Sequence, residues 1–202
     1  MKCRIQSKFS FGVALVSILL WTACSAMAQQ PPPAVGGAGD ILRIRKMTPV
    51  KEKTPVFRTA TASSTSARQP DWWRVVVDFE TAPDWIDELE FTYYAYIEDQ
   101  SNKGSPVMFR GTVTYVNVAK GKHVGDMFLH PNTIARLGLV KQIAVVVKAR
   151  GAVVAKESTA TKPDWWEGFS PVDGVLISRA QTPFAFVDYD LYEAIKPATV
   201  AR

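Results

Sequence analysis

Trp73-Arg74-Val75-Val76-Val77-Asp78-Phe79-Glu80 is the stretch that decides the fold class. Trp73, Val75, Val77 and Phe79 fall on one side of an extended chain. Arg74, Asp78 and Glu80 fall on the other. Successive side chains of a strand point to opposite faces, so this two-residue period marks a half-buried β-strand. Leu89 to Asp99 repeats it, with Leu89, Phe91, Tyr93, Ala95 and Ile97 opposed to Glu90, Thr92 and Glu98. Val107 to Val118 is a third strand, rich in β-branched and aromatic residues, and Val124 to Leu129 a fourth. Asn102-Lys103-Gly104-Ser105-Pro106 supplies a turn, and Arg150-Gly151 a hairpin connection between Gln142–Ala149 and Ala152–Lys156. Val175 to Ser178 adds a further strand. Ile44, between Arg43 and Arg45, marks a short edge strand whose arginines face water.

Helix is confined to two short places. Pro131 to Leu137 has proline in its first turn and Gly138 as its stop. Asp188 to Lys196 has acids early and a lysine late, which predicts a short terminal helix. Seven or eight short strands with frequent turns specify an all-β chain, an antiparallel β-sandwich. No βαβ alternation is present, which argues against a nucleotide-type α/β fold.

The N-terminus reads as an address. Lys2, Arg4 and Lys8 precede an apolar run from Phe11 to Trp21, and Ala26-Met27-Ala28 gives a small-x-small cleavage pattern. This is the layout of a secretory signal peptide over residues 1–28. Cys24, preceded by Trp21-Thr22-Ala23, offers a second outcome, lipidation and membrane anchoring. With cleavage after Ala28 the mature chain has no cysteine, so an exported domain must hold together through its core alone. Three basic residues leave with the leader, and the 24 basic and 19 acidic residues of the whole chain become nearly balanced. That removes the global case for a nucleic-acid partner. Residues 29–40 form a Pro/Gly-rich stalk and 41–69 a basic segment with a Ser/Thr loop. Residues 70–202 form the sandwich domain with a C-terminal extension.

Three Pro-Asp-Trp units carry all the tryptophans after the leader: Pro70-Asp71-Trp72, Pro83-Asp84-Trp85 and Pro163-Asp164-Trp165, the first and last extended to Trp73 and Trp166. Proline stops a strand, aspartate closes the turn, and tryptophan covers the end of the sheet stack. Burying each indole removes about 150–250 Å² from water, roughly 4–6 kcal/mol. The alternative is an aromatic platform for a glycan. In a strand the two rings of a doublet face opposite ways, so Trp73 is core and Trp72 partly exposed. Trp72 and Trp165 are therefore the candidate ligand contacts. Arg43, Arg45 and Lys46, in the one local charge excess, are candidate partner contacts.

His123, His130 and Asp126 match no zinc spacing, and no hydrolase or nucleotide-binding motif is present. Neither a catalytic residue nor a cofactor is expected.

Trp85-Ile86-Asp87-Glu88-Leu89 leads into Phe91-Thr92-Tyr93-Tyr94. Gly111-Thr112-Val113-Thr114-Tyr115-Val116-Asn117-Val118-Ala119-Lys120-Gly121 follows, then Trp165-Trp166 and Gln181-Thr182-Pro183-Phe184-Ala185. Together these phrases resemble an exported immunoglobulin-like family of the Verrucomicrobia–Planctomycetes group, encoded with type IV pilus components. The resemblance covers Pro70 to Tyr192. It implies an immunoglobulin-like sandwich and a pilus-associated or cell-surface role, and brings no catalytic residues. The stalk stands where a pilin would carry a long apolar assembly helix, which argues against the polymerising subunit itself. The expected function is a non-enzymatic interaction module with protein partners in the cell envelope, with strand addition at a free sheet edge as its means. The second reading is a carbohydrate-binding module.

Overall fold

The computed structural model describes residues 41–56 and 69–197. The leader, the stalk, Cys24 and the Thr59–Ala67 loop lie outside the described residues. The chain is all-β: β1 (Leu42–Lys53), β2 (Asp71–Asp99), β3 (Ser105–Leu129), β4 (Val140–Ala149), β5 (Ala152–Ser158), β6 (Val172–Asp173) and β7 (Leu176–Ser178). Among the described residues, one short helix, α1 (Pro131–Leu137), and several single 3-10 turns accompany the strands. No helix among the described residues is long and apolar enough to cross a membrane.

Two very long strands organise the sheet. The alternating stretches 73–80 and 89–99, separate strands by sequence, are one strand, β2, and the third and fourth sequence strands are likewise one, β3. The two pair antiparallel from Trp73↔Leu129 to Asp99↔Ser105. Their register slips between Thr81 and Trp85, where Ala82, Pro83 and Asp84 stand opposite Lys120 alone. Pro83 therefore does not end the strand. It sits in a bulge, where a missing N–H costs no ladder bond and the strand can bend.

Either side of this bend the strands have different neighbours. In the first layer Asp71–Thr81 pairs with β1, and Met127–Leu129 pairs with β7. In the second, Leu89–Ile97 pairs with β4, which pairs with β5, while Phe109–Arg110 pairs with β6. The inner faces meet as a sandwich, with the Phe79 ring of the first layer 4.9 Å from that of Phe91 and 6.4 Å from that of Tyr115 in the second, centroid to centroid. Val75, Val77, Phe79, Leu89, Phe91, Tyr93, Ala95 and Ile97 are all fully buried there, as alternation requires. Gly125 faces inward, and a Cβ there would stand 3.0 Å from the Tyr115 hydroxyl and 3.2 Å from that of Tyr93. Its lack of a side chain makes room for two buried phenols.

Other local expectations are met by ordinary chemistry. Arg150 and Gly151 both take positive φ, 50° and 80°, in the two-residue hairpin between β4 and β5. His130 caps α1, its Nδ1 accepting from the Asn132 N–H at 3.1 Å. β1 is an edge strand that accommodates Pro49 and bulges at Arg45. One pairing departs from the antiparallel rule: β6 runs parallel to β3.

The terminal helix does not form. Apart from one 3-10 turn, Tyr189–Leu191, residues 188–196 are irregular or extended. Backbone bonding to β3 wins over intrinsic helix preference. The Val116 N–H donates to the Ala194 carbonyl at 2.9 Å and the Lys196 N–H to the Thr114 carbonyl at 2.8 Å.

Candidate interaction surface

Residues 179–196 form a strap that crosses the outside of the first layer and runs on along β3 past the bend. A lone acid in the apolar run Gly125–Leu129, Asp126, holds it there. Asp126 is buried and accepts from Arg179 at 2.6 Å and from Arg74 at 3.1 Å, both on Oδ2. Arg179 belongs to the strap, Arg74 to β2. Arg74 also donates to the Tyr192 hydroxyl and reaches Glu52 of β1 at 3.4 Å. The Arg179 guanidinium lies 3.6 Å from the Tyr192 ring centroid and donates to the Val187 carbonyl. Thus Asp126 and its two arginines tie β1, β2 and β3 to the strap at Arg179 and Tyr192. Burial pushes the Asp126 carboxyl upward, and the two guanidiniums pull against that. Burial and the nearby carboxylate push the Tyr115 phenol up, so it stays protonated, and its oxygen accepts from the Asp126 backbone N–H at 3.2 Å.

Apolar packing adds to the ionic tie. Phe184 stacks on Phe128 at 5.0 Å and meets Trp72 edge-on at 5.9 Å. Thr182 sets the turn, accepting from the Phe184 N–H at 3.2 Å and donating to the Arg179 carbonyl at 2.8 Å. Further along, His123 Nδ1 faces Glu193 at 2.7 Å, and Lys196 pairs with Glu88. With its inner side so occupied, the strap turns three large apolar groups outward. Phe186 is 80%, Tyr189 74% and Leu191 64% exposed.

The expected contact residues fall elsewhere. Trp72, read as partly exposed, is 5% exposed, because Phe184 and His130 cover the outer face of its strand. Its indole N–H donates to Thr54 at 3.1 Å. Trp165 is 4% exposed: Pro163-Asp164 leads into a 3-10 turn, not a strand, and the indole N–H is held by Ser158 at 2.7 Å. Neither offers an open platform. Among the described residues, the indole that faces solvent is Trp85, at the bend, 68% exposed. One tripeptide thus opens a strand, forms a bulge and starts a 3-10 turn at its three occurrences. Arg43, Arg45 and Lys46 are exposed along β1, but Arg45 is paired with Glu80, its Nε at 2.8 Å, and holds that carboxyl below its usual range.

His123, His130 and Asp126 are not assembled into a reactive centre. His130 serves α1, His123 contacts Glu193 and the Ala119 carbonyl at 2.8 Å, and Asp126 is enclosed by arginine. Among the described residues no group of three or more His, Cys, Asp or Glu is placed to hold a metal ion.

A protein-family model matches residues 37–199, most of the chain. Among solved structures, a crystal structure of a protein from Akkermansia muciniphila is similar over 78% of this chain and 93% of its own. Its TM-score is 0.70 and its sequence identity 23%. That likeness supports the fold. No curated protein matches.

Proposed function

Since the chain belongs to the family whose model spans residues 37–199, we propose that it is a non-enzymatic, exported module that binds a protein partner in a type IV pilus or cell-envelope assembly. The observation that carries this reading is the outward display of Phe186, Tyr189 and Leu191 on a strap pinned from beneath. Large apolar groups lifted into water cost free energy unless a partner covers them, and such display marks contact surfaces. The pinning lowers the ordering cost on association, because the strap is already held. The basic, apolar leader pattern supports export, and the sequence phrases that resemble a pilus-associated family support the setting. Strand addition at the outer edge of β5, which pairs with β4 alone among the described strands, offers a second contact.

The test is capture of partners from native cell envelopes. Wild-type protein is expected to co-purify with pilus components. A Phe186→Ser/Leu191→Ser double variant should bind the same partner about 30–1,000-fold more weakly, from about 1–2 kcal/mol per anchor. Equal capture by both proteins, or no envelope partner for either, would refute the proposal.

A further inference from the structure

The outer face of the second layer carries a groove that the strap does not touch. Strand register places Arg110, Tyr94 and Ala144 in one row across β3, β2 and β4, and sets Glu90 opposite Lys148 further along. Trp166 closes one side, its indole stacked on Tyr94 at 5.7 Å with 19° between the planes. On another side Asp173 of β6 grips Arg110 through two bonds of 2.7 Å. Two adjoining hollows of about 540 and 310 Å³ share Tyr94, Arg110 and Lys148.

The chemistry of this surface is specific. Arg110 is matched by Asp173, and Lys148 by Glu90 at 3.2 Å. These pairs cancel, so they create no strong field for an ionic ligand. Yet they set donors beside acceptors, within reach of an aromatic ring. A pyranose needs such a pairing: its C–H face lies on an aromatic surface, while its neighbouring hydroxyls both donate and accept. The Arg110–Asp173 pair is a fork fixed in one plane by its two bonds, and its remaining guanidinium N–H groups and carboxylate lone pairs stand side by side for two adjacent hydroxyls.

We propose that this groove binds a neutral sugar residue, with Tyr94 as the stacking surface and the Arg110–Asp173 and Lys148–Glu90 pairs as the hydroxyl partners. The site is independent of the protein-docking strap and uses neither Trp72 nor Trp165.

The experiment is an amide-resolved NMR titration of the exported protein with chitotriose, cellotriose and β1,4-galactotriose, with 3′-sialyllactose as the anionic comparison. At least one neutral trisaccharide should shift amides around Thr92–Tyr94, Arg110–Thr112 and Val146–Lys148. Tyr94→Leu keeps the packing against Trp166 but loses the ring, and Arg110→Lys keeps the charge but loses the fork. Each should weaken binding at least 10-fold while the remaining amide spectrum stays that of the folded protein. Trp85→Ala should leave the affinity unchanged. Absence of shifts with all three neutral probes at about 20 mM, a limit that still detects very weak binding, overturns the proposal. So do shifts centred elsewhere, preference for the sialylated probe, or full affinity in both groove variants.

Discussion

Replacing Asp126 by alanine is expected to lower the unfolding free energy by about 3–5 kcal/mol, the usual cost of removing one partner from a buried ion pair. The loss exceeds that of a surface bridge because Arg179 and Arg74 are both sheltered: Arg179 would keep its charge with no acid beside it, and Arg74 would keep only Glu52. Glu52 lies 3.4 Å from Arg74, is half-exposed and, among the described residues, pairs with Arg74 alone. The damage should begin locally. Arg179 and Tyr192 lose their anchor, so the strap should become open to protease before the sheet unfolds. Urea unfolding followed by circular dichroism, with timed proteolysis, reads both effects. A midpoint within experimental scatter of wild type, or a strap no easier to cut, would show that the ionic tie does not hold the segment.

Phe91→Ala should cost a similar amount, about 3–5 kcal/mol, for a different reason. Phe91 is fully buried between Phe79 of the first layer and Tyr115 and Tyr93 of the second. Truncation leaves a void at the seam between the layers, and neighbours fixed in long strands have little freedom to fill it. Both layers are built from the same two strands, so the loss should appear as one cooperative transition. Fluorescence and far-UV ellipticity should move together to a lower denaturant concentration. Separate midpoints for the two signals would mean that the layers melt independently. Phe91→Leu, which preserves most of the volume, should fall between the variant and wild type.

Much of this molecule was legible in its sequence. Alternation identified the inward faces of 73–79 and 89–97 correctly, because water-facing and core-facing demands differ at every second residue. The α1 segment and the Arg150-Gly151 turn were equally readable from local chemistry. Continuity of β2 and β3 was not. Proline and glycine punctuate a sequence whether a strand ends or bends, and only pairing across the bulge distinguishes the two. The exposures of Trp72 and Trp165 were misread for a related reason. The outer faces are covered by segments distant along the chain, which strand periodicity does not report. A signal was present: Ala144, Val145, Val146 and Val147 are apolar on both sides of one strand, as expected where both faces are covered. The lone Asp126 among apolar neighbours was a similar sign that a cation would have to meet it. Phe186, Tyr189 and Leu191 were obscured by the acids between them, which suggested a helix start.

The outer margin of β3 is stitched closed in three pieces: β6 at Phe109–Arg110, the strap at Thr114–Val124, and β7 at Met127–Leu129. The residues beneath the middle piece, Thr112 to Val118, are mostly β-branched or aromatic, the composition that most readily stacks between molecules. Lifting the strap bares that row of amides and carbonyls, a template for aggregation. The terminal segment therefore protects solubility as well as stability, and a chain shortened before Tyr192 loses its safeguard against uncontrolled self-assembly.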